Sequence, residues 1–177
     1  MLKFFDTVKL IQYTLELKWA LIYSLVFLLW MIAERLTGLH DTYIYLHPMI
    51  TALFVIPAIS VYAFGLADYK KDLFYHRISL GKGFLFGMRL TLAITLLSPF
   101  MQLIVSKVIT PDFFKNAIEY TVTHGMKTRA EAESYFNLNS YLGMSVFGSL
   151  AMGIVAAFLV ALGFVLFQFI QPARNGK

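Results

Sequence analysis

No cysteine occurs among the 177 residues, so disulfides, thiolate metal ligands and a cysteine nucleophile are all excluded. Charge is scarce as well: Asp, Glu, Lys and Arg make up 14% of the chain, against 59% hydrophobic residues and a mean hydropathy of +0.69. That balance is too apolar for an ordinary soluble domain. Four long apolar runs, at about Trp19–Ala33, Pro48–Ala67, Gly83–Ser106 and Leu142–Ile170, have no Asp or Glu at their centres. Proton-coupled pumps usually keep acids there, so this absence counts against one. No GxSxG, HExxH or P-loop pattern is present either.

What is present is the length needed to cross a bilayer. A hydrocarbon core about 30 Å thick takes roughly 20 helical residues at about 1.5 Å each. The runs lack the alternation of a membrane barrel, which leaves helices as the spanning elements. The expected fold is an all-α integral membrane protein, one domain over 1–177. Its spans fall at about 17–37, 48–67, 83–106 and 141–171, with an outer (periplasmic) helical hairpin at 110–137. The first run begins only after Lys18 and is followed by no small-residue cleavage site, so it reads as a retained span.

The cations set an expected orientation. Lys3, Lys9 and Lys18, then Lys70, Lys71, Arg77 and Lys82, then Arg174 and Lys177 fall on one side. Arg35, Lys107, Lys115, Lys127 and Arg129 are spread along the other, among acids. The positive-inside rule places both termini in the cytoplasm. The net charge of +5 is matched to anionic lipid headgroups. Nucleic acid is not an expected partner, because no basic stripe with interleaved aromatics is present.

Several local signals refine the spans. Phe4, Val8, Ile11 and Leu15 recur at helical spacing, which suits an amphipathic lead-in at the inner interface. Pro48 suits a first turn, and Pro57 predicts a kink near the middle of span two. Gly83 and Gly87 make a GxxxG spacing that permits close helix contact. Arg89 lies about two turns inside span three, near enough to the cytoplasmic end to snorkel, and Pro99 and Gln102 soften the other half. In span four Ser145, Ser149, Gly153, Ala157 and Ala161 form a small-residue ridge. Such a ridge lets a neighbouring backbone approach, either from the same chain or from a second copy.

The segment between spans three and four has its own helix signals. Thr110, Pro111 and Asp112 read as a cap, a first-turn proline and a dipole complement; Gly125 marks a stop. Thr128 and Glu131 have capping-box spacing. Two short amphipathic helices are expected, as a structural cap over the bundle mouth, a lid or a docking surface.

Candidate chemistry is thin. His40, His47 and His124 fall on the outer side with Asp41, Asp112, Glu119, Glu131 and Glu133, a ligand chemistry possible for zinc but with no known spacing. Glu34 and Arg35, at the end of span one, read as partners of nearby groups or headgroups. A Ser-His-Asp set would need Ser98 or Ser145 beside His124 or His40, and no spacing brings them together. No metal, cofactor or catalytic residue is therefore expected. The favoured reading is a non-enzymatic structural or interaction component, partnered by the lipid bilayer and by itself or other membrane proteins. The alternative is a small carrier or channel between spans two and three, with Arg89, Gln102, Glu34, His40, Asp41 and His124 as the polar groups to watch.

One longer string of residues is distinctive. Lys18-Trp19 opens span one, and Glu34 is followed by Gly38, Leu39, His40, Asp41, Tyr43 and Ile44. Ile56-Pro57-Ala58 comes next, then Ile109 through Phe114 with Ala117, Ile118, Glu119 and Tyr120. Glu131, Ala132, Glu133, Tyr135 through Leu138, Tyr141 and Met152-Gly153-Ile154 complete it. Together these resemble a family of small bacterial inner-membrane proteins known as a domain of unknown function. The resemblance covers nearly the whole chain and implies a four-span bacterial membrane protein; it brings no activity, substrate or catalytic residue.

Overall fold

The computed structural model describes residues 2–72 and 77–170, with side chains from residue 14 onward. The side chains of Lys3, Phe4, Val8, Lys9 and Ile11, the end of the fourth span at residue 171, and the tail cations Arg174 and Lys177 lie outside the described residues. Seven α-helices are present among the described residues: α1 (Leu2–Leu36), α2 (His47–Ala52), α3 (Val55–Asp72), α4 (Leu80–Ile104), α5 (Phe113–Thr123), α6 (Arg129–Tyr135) and α7 (Leu138–Ile170). Four stretches are long and apolar enough to cross a membrane: Thr14–Leu36, Ile44–Asp72, Leu80–Ile109 and Leu138–Ile170. They are apolar on their outward faces as well. Leu17, Leu21, Leu25 and Leu29 of α1 are exposed at helical spacing, and Phe147, Met152 and Phe158 of α7 are exposed too. Large side chains left outside the core are what a protein dissolved in acyl chains presents.

The α4–α7 pair is held by the close approach of small residues. α4 and α7 run antiparallel, and small residues meet in a fixed register. A Cβ on Gly83 would lie 3.1 Å from that of Ala161, and one on Gly87 would lie 2.5 Å from that of Ala157. One turn on, a Cβ on Gly153 would clash with the Thr91 side chain, and the Ser149 and Thr95 hydroxyl oxygens lie 3.2 Å apart. Gly83, Gly87, Thr91 and Thr95 thus form a second four-residue stripe, facing the one on α7. Ala20, Leu66, Phe86, Leu90 and Ile94 fill the centre, where α1 and α3 close on α4. At one end the Gln168 side chain accepts from the Ile78 amide at 2.7 Å and donates to its carbonyl at 3.1 Å, tying α7 to the turn before α4.

The prolines act where expected. Span two is interrupted in the turn before Pro57: α2 ends at Ala52, the break falls at Leu53 and Phe54, and Pro57 sits in the first turn of α3. Pro57 has no N–H for the Leu53 carbonyl, which instead accepts from Ile56 at 3.0 Å. In α4, Pro99 leaves the Thr95 carbonyl without its helical donor, and the Ser98 hydroxyl supplies one at 2.9 Å. The helix then continues into a wide π turn, Val105–Ile109.

Thr110 departs from its expected role. It does not cap α5, which starts at Phe113 after Asp112 without a side-chain cap. Its amide closes the π turn on Val105 at 2.8 Å, and its side chain is buried. Gly125 follows α5 in the left-handed region, φ +65°, where only glycine is unstrained. α6 begins with the reciprocal capping box of Thr128 and Glu131. Donation from the Thr128 amide holds the Glu131 carboxyl below the usual carboxylate range.

Candidate functional site

Glu34 is the last acidic residue of α1, and its carboxylate is buried among groups brought from three segments: α1 itself, the turn after it and α2. Trp30, one turn back on α1, donates its indole N–H to Glu34 Oε1 at 2.6 Å. Thr51 of α2 donates to the same oxygen at 2.7 Å. The other oxygen, Oε2, lies 3.1 Å from His40 Nε2 and 3.6 Å from His47 Nε2. Glu34 and His40 have side chains 2% and 0% exposed, while His47 keeps 17%. Of the two expectations for Glu34, nearby groups or headgroups, the first holds: its carboxylate is the centre of a polar cluster.

The backbone explains how His40 returns to it. α1 ends at Leu36, and Gly38 takes φ +77°, reversing the chain direction. The Leu39 amide then reaches back to the Glu34 carbonyl at 3.0 Å, and the Tyr43 amide to the Gly38 carbonyl at 2.8 Å. This tight fold places His40 beneath the carboxylate. His47, just before Pro48, arrives from the start of α2. Phe113 of α5 packs against both imidazoles, at ring distances of 5.4 Å from His40 and 4.8 Å from His47. Asn116 donates to the His40 carbonyl at 2.9 Å, which fixes α5 over the turn.

The other polar candidates lie elsewhere. Asp41 turns outward, 3.6 Å from Arg35, and the Thr42 amide holds its carboxyl below the usual range. His124 ends α5 on its own Tyr120 carbonyl at 2.8 Å and shares only a shallow recess with Asp41 and Glu119. Glu119 and Glu133 meet Arg129 on the surface. Arg89 does not snorkel alone: at the opposite end of the bundle its guanidinium pairs with Glu16, buried on α1, and lies over the Tyr69 ring. Sequence reading passed over Glu16, Trp30 and Thr51. The i, i+4 spacing of Trp30 and Glu34 was the one local signal available for this cluster.

Between the two polar ends runs a cleft of about 480 Å³ bounded by α1, α2, α3, α4 and α7. Tyr23, Phe27, Val55, Ile59, Met101 and Leu159 supply much of its apolar wall. Ser98, Gln102, Ser145 and Ser149 add a strip of polar atoms, and Thr51 marks the end next to Glu34. The hydroxyls are turned to the backbone: Ser98 to Thr95, Ser145 to Leu142 at 2.8 Å and Ser149 to Val146 at 3.0 Å. Gln102 lines this cleft, whereas Arg89 is not among its lining residues. Of the small-residue ridge, Gly153, Ala157 and Ala161 are buried, and Ser145 is turned to the cleft.

Four apolar spans around a tight α4–α7 pair define a small multi-pass membrane protein. Residues 18–167 match the model of the family described as a protein of unknown function, DUF4199, and the chain belongs to that family. No curated protein and no solved structure matches it.

Proposed function

We propose that this protein is a non-enzymatic component of a bacterial inner membrane that holds the acyl chain of a membrane lipid in the cleft between α3 and α7. The observation that carries the reading is the cleft itself: about 480 Å³, largely apolar, at the depth of the spans. That volume lies inside the range of roughly 300–1,000 Å³ common for ligand sites. At span depth the surrounding solvent is acyl chain, and an apolar wall accepts it without desolvating a charge. The lining carries hydroxyls and one amide but no imidazole or carboxylate among the described residues, which favours holding a chain over cleaving one. Lys18, Lys70, Lys71, Arg77 and Lys82 come from the same end of the bundle, where Gln168 meets Ile78. This clustering supports a cytoplasmic location for both chain ends.

The test fills the cleft. A Cβ on Gly148 meets nothing within 4 Å, so Gly148→Trp puts an indole into the space without prising helices apart. Native mass spectrometry of the detergent-extracted protein should find a retained phospholipid on the wild type and none on Gly148→Trp, at an unchanged unfolding midpoint. Equal lipid retention by both proteins would reject the reading.

A further inference from the structure

Glu34, His40 and His47 bring three ligand-type atoms within 4.8 Å of one another. We infer that they form a binding site for one divalent transition-metal ion, with Zn²⁺ the best match. The cluster stands apart from the cleft lining except through Thr51, so this inference does not depend on the acyl-chain reading.

Geometry is the first support. Glu34 Oε2 lies 3.1 Å from His40 Nε2 and 3.6 Å from His47 Nε2. Ligands about 2.0–2.2 Å from a tetrahedral zinc stand roughly 3.3–3.6 Å from one another, so both Glu34 contacts are already close to ligand spacing. Two imidazoles and one carboxylate are a donor set for zinc or another first-row metal. Calcium and magnesium want oxygen ligands throughout, and Cu(I) prefers sulfur. Three protein ligands leave one coordination position for water or an anion.

The surroundings fit the same purpose. Trp30 and Thr51 both donate to Glu34 Oε1, fixing the carboxylate so that Oε2 faces the imidazoles. Such outer hydrogen bonds orient metal ligands and sharpen their geometry. The Phe113 ring walls off the imidazoles. His40 is wholly buried, with only its Nε2 engaged, on the Glu34 carboxylate. An acid and an imidazole drawn together at the end of an apolar span are costly to keep there without a task. Partial exposure of His47 leaves an approach for the ion.

The full-length, tag-free protein in detergent, stripped with a chelator, is titrated with Zn²⁺ by calorimetry and then loaded with Co²⁺ for visible spectroscopy. The expected result is uptake of one Zn²⁺ per chain, a higher unfolding midpoint with the ion bound, and intense tetrahedral-type Co²⁺ bands. His47→Ala should weaken Zn²⁺ binding by at least about 10–100-fold, the cost of disturbing even an outer partner. His124→Ala should leave it unchanged. If His47→Ala fails to fold, the Co²⁺ spectrum of the wild type decides. Absence of stoichiometric uptake, uptake indifferent to His47→Ala, or a weak octahedral Co²⁺ spectrum would overturn the inference.

Discussion

Gly87→Ala lowers the unfolding midpoint of the detergent-solubilised protein, with a loss of about 1–3 kcal/mol, the range for overpacked cores. The added methyl would lie 2.5 Å from Ala157 Cβ and 2.9 Å from its Cα. The second distance matters more, because a backbone atom cannot swing aside as a side-chain tip can. The pair must separate along its length, and dispersion attraction is what holds helices together where lipid removes the hydrophobic drive. Gly163→Ala is the control: nothing lies within 4 Å of that position, and the methyl should be neutral or slightly favourable through helix propensity. Combining Gly87→Ala with Ala157→Gly should recover part of the loss, since the clash between the two methyls goes while the crowding against the residue-157 backbone stays. A double variant no more stable than Gly87→Ala would remove the α4–α7 register from the account.

Arg89→Ala, two residues further along α4, is expected to be the more damaging change. Breaking a fully buried ion pair by deleting one partner costs roughly 3–5 kcal/mol. The Arg89 side chain is a quarter exposed, 25%, which moves the expectation to the low end of that range. The asymmetry between partners is the sharper prediction. Arg89→Ala strands the Glu16 carboxylate, whose side chain is 6% exposed, whereas Glu16→Ala leaves a guanidinium that can extend to the interface. Thermal unfolding should therefore rank Glu16→Ala above Arg89→Ala, with Glu16→Gln combined with Arg89→Met above either. Small and equal losses for the two single variants would mean that the pair is solvated and contributes little.

The spans and the spacing of small residues on α7 were legible because both are periodic properties of a single segment. Pairing was not. Nothing local to Gly153 says that its neighbour is Thr91, and the stripe on α4 was visible only as Gly83 and Gly87, since Thr91 and Thr95 do not read as small at first sight. The partners of Glu34 were hidden for a related reason. Its environment depends on Gly38 reversing the chain and on Thr51 and His47 arriving from beyond the turn, none of which a helical pattern encodes. Arg89 looked solitary because its partner Glu16 lies 73 positions away in sequence. Thr110 had the composition of a cap, but the π turn after Pro99 used its amide first and turned its side chain inward. The cleft left no trace at all, because a gap between helices is made by packing and has no residue of its own.

Membrane immersion is tested most directly by cysteine labelling, for which a chain without cysteine is well suited. Leu96→Cys and Phe147→Cys each place a thiol on a side chain 74% exposed on the surface of a span. In sealed membranes both should resist a membrane-impermeant maleimide and react only once the protein is denatured in detergent, while Lys71→Cys reacts from one side of the membrane. Ready labelling of Leu96→Cys or Phe147→Cys in intact membranes would mean that water, and not lipid, bathes these faces.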